Sequence, residues 1–361
     1  MTPKKILLIK LRALGDTVLM TSSVESLRRL LPDAEIHVLV PKAWTSIFEN
    51  NPHVSRVWEW TAKKQSGRWG NITKCLPKLR KEHFDIAVNF HASPSSAWIS
   101  RFSGAPVRAN HFHGHAEPNR FSTVTIPGKG ELKPILVRDL DAIRALGWEI
   151  AHPAPTRVYL THEEKTEARE WIDKQGLPKP LLVLGLGASR PTKVWPVNRY
   201  VELALKWIYK KNGSVVLVGS PTERALFKEF ENSFQKNAGP EANFILPRLK
   251  IRSDMNVREL AALLSQADVF AGNDSGPKHL AVAVGTPTVT VFGPENPFEW
   301  HPYDRTKHPL HFIEALNCRT NLSPNGMKWC GIEECTVERH RCMTEITADD
   351  VFASCEKLLN S

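Results

Sequence analysis

KKILLIKLRALGDTVLMTSSVESLRRLLPDAEIHVLV, residues 4–40, decides the fold. The four consecutive apolar residues Ile6 to Ile9 give the pattern of a strand buried on both faces of a parallel sheet. A short turn through Gly15 follows, then apolar residues at helical spacing from about Thr17 to Leu31, stopping before Pro32. A second apolar run, Glu35 to Val40, completes a β-α-β unit.

Apolar runs at Arg56 to Trp58 and Ile86 to Phe90 continue the alternation of a parallel sheet covered by helices. The prolines of Ala151-His152-Pro153-Ala154-Pro155 disfavour helix and stiffen the chain, which places a linker over 151–157 after a first domain of residues 1–150. The alternation then restarts. Strands are expected at Leu181 to Leu184, Ser214 to Val218, Val269 to Ala271 and Thr288 to Phe292. Helices are expected at Pro196 to Lys211, Thr222 to Phe234, Val257 to Ser265 and Pro277 to Val284. This is a second doubly wound sheet within residues 158–345, and a helical C-terminal segment, 346–361, is expected to return to the first domain.

The bulk properties fit two such α/β domains. A chain of 361 residues exceeds one ordinary core, and 42% apolar with 24% charged residues excludes a disordered or fibrous protein. No run reaches the 18 or so apolar residues of a membrane helix, and the opening run is too short for a signal-peptide core, so a cytoplasmic location is expected. The net charge of +10 favours anionic partners, with nucleic acid, a membrane surface and a phosphorylated substrate all open on charge alone.

Ligands of doubly wound sheets bind beyond the carboxyl ends of the strands, so the loops there should carry the chemistry. The first, Leu11-Arg12-Ala13-Leu14-Gly15-Asp16-Thr17, sets a carboxylate at a helix start. Asp16 is the leading candidate for a catalytic base, while Asp is also a favoured N-cap, and a helix start favours the ionised carboxylate over its proton-bearing form. A base of this kind still serves when the proton is taken late in an attack on a strongly electrophilic carbon.

The second loop, Gly185-Leu186-Gly187-Ala188-Ser189-Arg190-Pro191-Thr192-Lys193-Val194-Trp195-Pro196, has small residues for close backbone approach, with Ser189 and Lys193 able to hold phosphate oxygens. As a nicotinamide fingerprint it is incomplete, because Arg190 and Pro191 stand where the third glycine belongs. The third, Gly272-Asn273-Asp274-Ser275-Gly276-Pro277-Lys278-His279-Leu280, runs from a strand end into a helix start with Pro277 near N1, where exposed N–H groups would accept a diphosphate. His279 could donate to the same phosphates. Glu223, after the strand ending at Val218, could accept from ribose hydroxyls, or could simply complement its helix start.

Together the Arg-x-x-Gly-Asp start, the Gly-rich loop followed by Lys-x-Trp-Pro, and Asp-Ser-Gly-x-x-His-Leu with Gly-x-Pro-x-x-x-x-Phe-Gly-Pro resemble glycosyltransferase family nine, the ADP-heptose:lipopolysaccharide heptosyltransferases. The resemblance runs from Ile6 to about Pro297. It implies a GT-B fold, two Rossmann-like domains facing across a cleft, the first binding the acceptor and the second ADP-heptose. The reaction implied is inverting transfer to the lipopolysaccharide inner core, with no cofactor required for the chemistry.

Carried over by motif, Asp16 and Lys193 would be catalytic, and Gly15, Thr17, Ser189, Glu223, Asp274, Ser275, Gly276 and His279 would line the donor site. Arg12 and Arg120, with Lys63, Lys64, Arg68 and Arg108 as further cations, would meet an anionic acceptor at the inner-membrane surface; nucleic acid is then not a partner.

Cys318, Cys330, Cys335 and Cys342 cluster near the C-terminus, which in a cytosolic chain points to metal before disulfides. Their spacing departs from paired Cys-x-x-Cys knuckles. It resembles the iron-binding cysteine finger of the bacterial autotransporter heptosyltransferases, which implies a structural zinc or iron and raises a protein acceptor as an alternative. A catalytically silent sugar-nucleotide binder is the alternative of a different class.

Overall fold

The computed structural model describes residues 3–61, 75–111, 121–127 and 131–360. In the first unit, residues 1–159, the strands are β1 (Lys5–Ile9), β2 (Glu35–Pro41), β3 (Arg56–Trp60), β4 (Ile86–Asn89) and β5 (Val107–Asn110). All pair in parallel, in the order β3-β2-β1-β4-β5, with β1 at the centre. Ile6, Leu7, Leu8 and Ile9 are wholly buried because helices cover both faces. Those helices include α1 (Leu14–Leu30), α2 (Pro94–Phe102) and α3 (Ile135–Arg144), and α1 packs beside α3.

Helix α1 begins three residues before the start expected from periodicity. Its N-cap is Ala13, so Leu14 is its first residue and Asp16 is its third rather than a cap. Ala13 offers no side-chain acceptor to the first-turn N–H groups, and its carbonyl accepts from both the N–H and the hydroxyl of Thr17, each at 3.1 Å. The segment expected as a linker is instead fastened to α1. The Ser22 hydroxyl donates to the Ala154 carbonyl. The Ala154 N–H donates to Ser26 Oγ at 3.0 Å, and the Arg157 N–H to Thr21 Oγ1 at 3.0 Å. The chain divides after Tyr159.

In the second unit, from Leu160 onward, α4 (His162–Lys174) precedes six strands: β6 (Leu181–Gly185), β7 (Ser214–Val218), β8 (Leu249–Arg252), β9 (Val269–Asn273), β10 (Thr288–Val291) and β11 (Leu310–His311). They pair in parallel in the order β11-β10-β9-β6-β7-β8. The covering helices are α5 (Val197–Lys211), α6 (Arg224–Ala238), α7 (Val257–Gln266) and α8 (Gly276–Ala283). A small antiparallel ribbon, β12 (Asn321–Leu322) with β13 (Lys328–Trp329), stands apart from the sheet.

The C-terminal helix α9 (Ala348–Leu359) is expected from sequence to return to the first domain. It forms part of the second core: Val351, Phe352, Cys355 and Leu358 pack with Trp207 and Leu203 of α5 and with Val291 of β10. A capping box at Thr347 and Asp350 starts it. No helix among the described residues is long and apolar enough to cross a membrane.

Candidate active site

Two sets of side chains emerge at the carboxyl ends of the strands, one in each unit. In the second unit β6 and β9 run side by side and the turns after them are tied together by Asn273, the last residue of β9. Its amide donates to the Leu186 carbonyl at 2.7 Å, and its carbonyl accepts from the Trp195 N–H at 2.9 Å. The Gly-rich loop is thereby held at both ends. Trp195 is itself buried, with its indole N–H on the Ile346 carbonyl at 3.0 Å.

This clamp delivers Lys193 to Asp274. Lys193 Nζ lies 2.9 Å from Asp274 Oδ2, and Lys278 Nζ, one helical turn on, lies 2.6 Å from Oδ1. Lys278 also donates to the Trp300 carbonyl at 3.0 Å and sits 4.8 Å from the centre of the Phe292 ring. Burial alone would raise the proton affinity of Asp274, but the two ammonium groups outweigh it and hold the carboxyl well below the usual carboxylate range. Two cations thus face one anion at the start of α8, whose first-turn N–H groups add further positive potential. The surplus is one positive charge in a largely buried place, an arrangement able to hold an anion.

His279 belongs to the same cluster but does not add charge. Burial, reinforced by Lys278, drives its pKa well below the ordinary histidine value, so the ring is neutral and shares a 2.6 Å hydrogen bond through Nδ1 with the Tyr303 hydroxyl. His301, stacked edge-on to Tyr303, is pushed down to about 3 by burial and Lys278.

Ser275 is the N-cap of α8, yet its hydroxyl makes no capping bond and is buried without a partner among the described residues. Ser189 is exposed on the Gly-rich loop. Glu223 closes a capping box with Ser220, accepting from its N–H at 2.6 Å, and its carboxylate lies where a Cβ on Gly187 or Gly219 would stand. Those two glycines are therefore needed for room rather than for backbone conformation.

In the first unit Gly15, Asp16 and Thr17 lie in the first turn of α1. Gly15 and Thr17 are buried, whereas Asp16 is half-buried and its Oδ1 has no hydrogen-bond partner among the described residues. Arg12 is exposed on the preceding turn. Arg108 is largely spent on backbone, donating to the Phe121 carbonyl at 3.1 Å and to the Ala105 carbonyl at 2.6 Å. Arg120, Lys63, Lys64 and Arg68 lie outside the described residues.

The four clustered cysteines line one cavity of about 210 Å³ with Thr192, Pro294 and Leu316. None is in a disulfide, and burial pushes the Cys342 thiol up to about 12. Among the described residues no three His, Cys, Asp or Glu side chains converge closely enough to hold an ion. The segment bearing the cysteines props up the Gly-rich loop. Thr192 Oγ1 donates to the Ile332 carbonyl at 3.4 Å, and Arg190 Nη1 to the Gly331 carbonyl at 3.4 Å.

Sequence reading found the loops but missed Lys278, Asn273 and Tyr303 as working parts. A lysine one turn into a helix reads as a surface residue; its spacing of four from Asp274 was the available signal.

Residues 72–327 match the family described as Glycosyltransferase family 9 (heptosyltransferase), which is more than half of the chain. The chain belongs to glycosyltransferase family 9. It is therefore a glycosyltransferase. Among its curated relatives, lipopolysaccharide heptosyltransferase 3 of Escherichia coli is 25% identical, over 96% of this chain and 97% of that protein.

The fold of this family member is shared by solved structures. A family 9 glycosyltransferase of Veillonella parvula superposes with a TM-score of 0.80 at 19% identity, over 99% of this chain and 97% of that one. The E. coli ADP-heptose lipopolysaccharide heptosyltransferase II superposes with a TM-score of 0.75 at 20% identity, over 99% and 98%. The two parallel sheets are thus the two Rossmann-like units of a GT-B glycosyltransferase.

Proposed function

We propose that this glycosyltransferase transfers heptose from ADP-heptose to the inner core of lipopolysaccharide. The observation that carries the reading is the Lys193–Asp274–Lys278 cluster at the start of α8, whose surplus positive charge suits a diphosphate. The names of the relative and the neighbour, with ADP-heptose as donor and lipopolysaccharide as acceptor, supply the sugar and its destination.

In this account the diphosphate takes the first-turn N–H groups of α8 and the hydroxyl of Ser275, with Ser189 and Lys193 closing from the Gly-rich loop. Neutral His279 hydrogen-bonds without adding charge, and Glu223 accepts from ribose hydroxyls. The acceptor hydroxyl attacks the anomeric carbon from the face opposite ADP. As the new C–O bond forms, the bond to the diphosphate breaks and its electron pair leaves with ADP; Asp16 takes the hydroxyl proton, and the anomeric configuration inverts.

Lys193 and the helix start stabilise the charge growing on ADP, the task a divalent cation performs elsewhere, so the chemistry needs no metal. Arg12, Arg120 and the net charge of +10 would draw the protein to an anionic acceptor on the cytoplasmic face of the inner membrane.

We further propose that the cysteine cavity is a structural zinc or iron site. The support is the gathering of four soft donors around one cavity. They would have to draw together on binding, bracing the Gly-rich loop through Arg190 and Thr192. Elemental analysis of purified protein tests this: one equivalent of zinc or iron lost on Cys330→Ser supports it, and metal-free protein with all its thiols reactive contradicts it.

The test of function is incubation with ADP-heptose and a panel of truncated lipopolysaccharide cores, with an autotransporter protein as the competing acceptor. ADP release coupled to a heptose-sized mass gain on the core is expected. A mass gain on protein alone would assign the protein acceptor, and binding without turnover would assign a silent binder.

A further inference from the structure

His279, on α8, is held through one ring nitrogen and open at the other. Its Nδ1 lies 2.6 Å from the Tyr303 hydroxyl, while Nε2 makes no hydrogen bond among the described residues. The ring is neutral, and a neutral imidazole carries one proton, so the partner of Nδ1 decides which nitrogen bears it. The separation gives the direction of the bond. Contacts donated by N–H run from about 2.7 to 3.2 Å, whereas hydroxyl donors reach about 2.5 to 3.0 Å. At 2.6 Å the Tyr303 O–H donates and Nδ1 accepts, which leaves the proton on Nε2.

Tyr303 is itself held by the loop that carries it. Lys278 of α8 donates to the Trp300 carbonyl at 3.0 Å, just ahead of that loop, and His301 Nε2 donates to the His308 carbonyl at 2.7 Å across it. His308 Nδ1 lies 3.1 Å from the Thr288 hydroxyl of β10, which fastens the far side to the sheet. Between these ties the Tyr303 ring stands edge-on to His301 with 5.4 Å between centres, and tilted against His308 at 5.6 Å. The hydroxyl is thus kept in one place relative to α8.

We propose that Tyr303 is a positioning residue: by donating to Nδ1 it holds the His279 proton on Nε2, so that the ring presents a fixed, uncharged N–H donor to a phosphate oxygen of the sugar nucleotide. This rests on the reading of the α8 start as the diphosphate site. An imidazole free to exchange tautomers would at times turn a lone pair toward the same anion, which repels it. Lys193 and Lys278 already supply the charge there, and His279 adds an oriented hydrogen bond without a third cation.

The first test is proton–nitrogen NMR of protein with isotope-labelled histidine, the His279 ring being assigned by its loss in His279→Gln. Nδ1 bare, Nε2 protonated and the Nε2 signal moving on addition of ADP are expected. A proton on Nδ1 overturns the inference, and this measurement on the wild type stands whether or not the variants fold well.

The second is calorimetric ADP binding by wild type, Tyr303→Phe, His279→Gln, His279→Ala and Tyr303→Phe/His279→Gln, with melting curves for each. Tyr303→Phe should weaken ADP binding about threefold to tenfold, the worth of one neutral hydrogen bond. In the His279→Gln background the same change should cost less than about twofold, because a glutamine amide has no tautomer to hold. Equal losses in both backgrounds, the mark of a merely structural tyrosine, or no loss in Tyr303→Phe, overturn the inference and leave the diphosphate site standing. Wild-type ADP affinity in His279→Ala, with Nε2 unmoved by ADP, overturns the reading of His279 as part of that site as well.

Discussion

Lys193 and Asp274 form an ion pair at 2.9 Å between two different strand exits, and the pairing depends on Asn273 holding the intervening loop at both ends. The carboxylate faces a second, fully buried ammonium, that of Lys278, on its other oxygen. Asp274 thus pairs with two cations; in the proposed function it would organise them and keep Lys193 in place until a diphosphate competes for it.

Lys193→Ala should lower kcat/KM for ADP-heptose by about 10²–10³-fold, the effect of removing one preorganised donor from a developing anion. Lys193→Arg should recover part of the loss. Steady-state kinetics with calorimetric donor binding checks this, since the alanine variant should bind the donor more weakly as well as react more slowly.

Lys278→Met should act on the fold before it acts on catalysis. Lys278 is wholly buried and Asp274 nearly so; removing one of the two cations strips a buried carboxylate of half its compensation, at a cost of about 3 kcal/mol. Urea denaturation at neutral pH measures it. An unchanged midpoint would mean that Lys193 alone suffices.

Stability should fall as pH drops below the ordinary histidine value. His301 and His308 have folded pKa values lowered by burial, to about 3 and about 4. Between about 6.5 and those values the unfolded chain binds protons that the native protein refuses, so stability is present above the window and lost going down through it. Each histidine contributes a slope of about 1.4 kcal/mol per pH unit inside the window. Denaturation at several pH values should show a shallower fall in His301→Gln than in wild type.

Gly187→Ala should weaken donor binding through Glu223. The added methyl would occupy the place of the Glu223 carboxylate, displacing the group proposed to hold the ribose. The two changes should be non-additive: Gly187→Ala/Glu223→Ala should bind ADP-heptose about as well as Glu223→Ala alone. Additive losses would place the effect of the methyl elsewhere.

The strands that sit at the middle of each sheet were legible in the sequence. Leu7 and Leu184 lie in uninterrupted apolar runs, which only a strand buried on both faces requires. Three of the four edge strands, β5, β8 and β11, were not, whereas the edge strand β3 was. Val107–Asn110 is short, with Val107 and Arg108 half-exposed, and Leu310–His311 is a two-residue pairing with no periodicity to read. The start of α1 was misplaced because Ala13 is no usual cap and Gly15 is a poor helix former; tertiary burial overrides both. The prolines at 153 and 155 were read as a linker, whereas the polar face of α1 binds the backbone between and after them.

The donor loops were legible because glycine, proline and a carboxylate at strand exits carry chemical meaning wherever they occur. Lys278 and the His279–Tyr303 contact were not, because burial of a lysine is a property of what packs over it, and no local pattern joins Tyr303 to His279.

Turnover of Asp16→Asn under saturating ADP-heptose tests whether Asp16 removes the acceptor's proton. A fall in kcat of about 10³-fold or more, with the calorimetric affinity for ADP-heptose retained, is the predicted result. Turnover within a few-fold of wild type would contradict it and move the search for the base to another side chain.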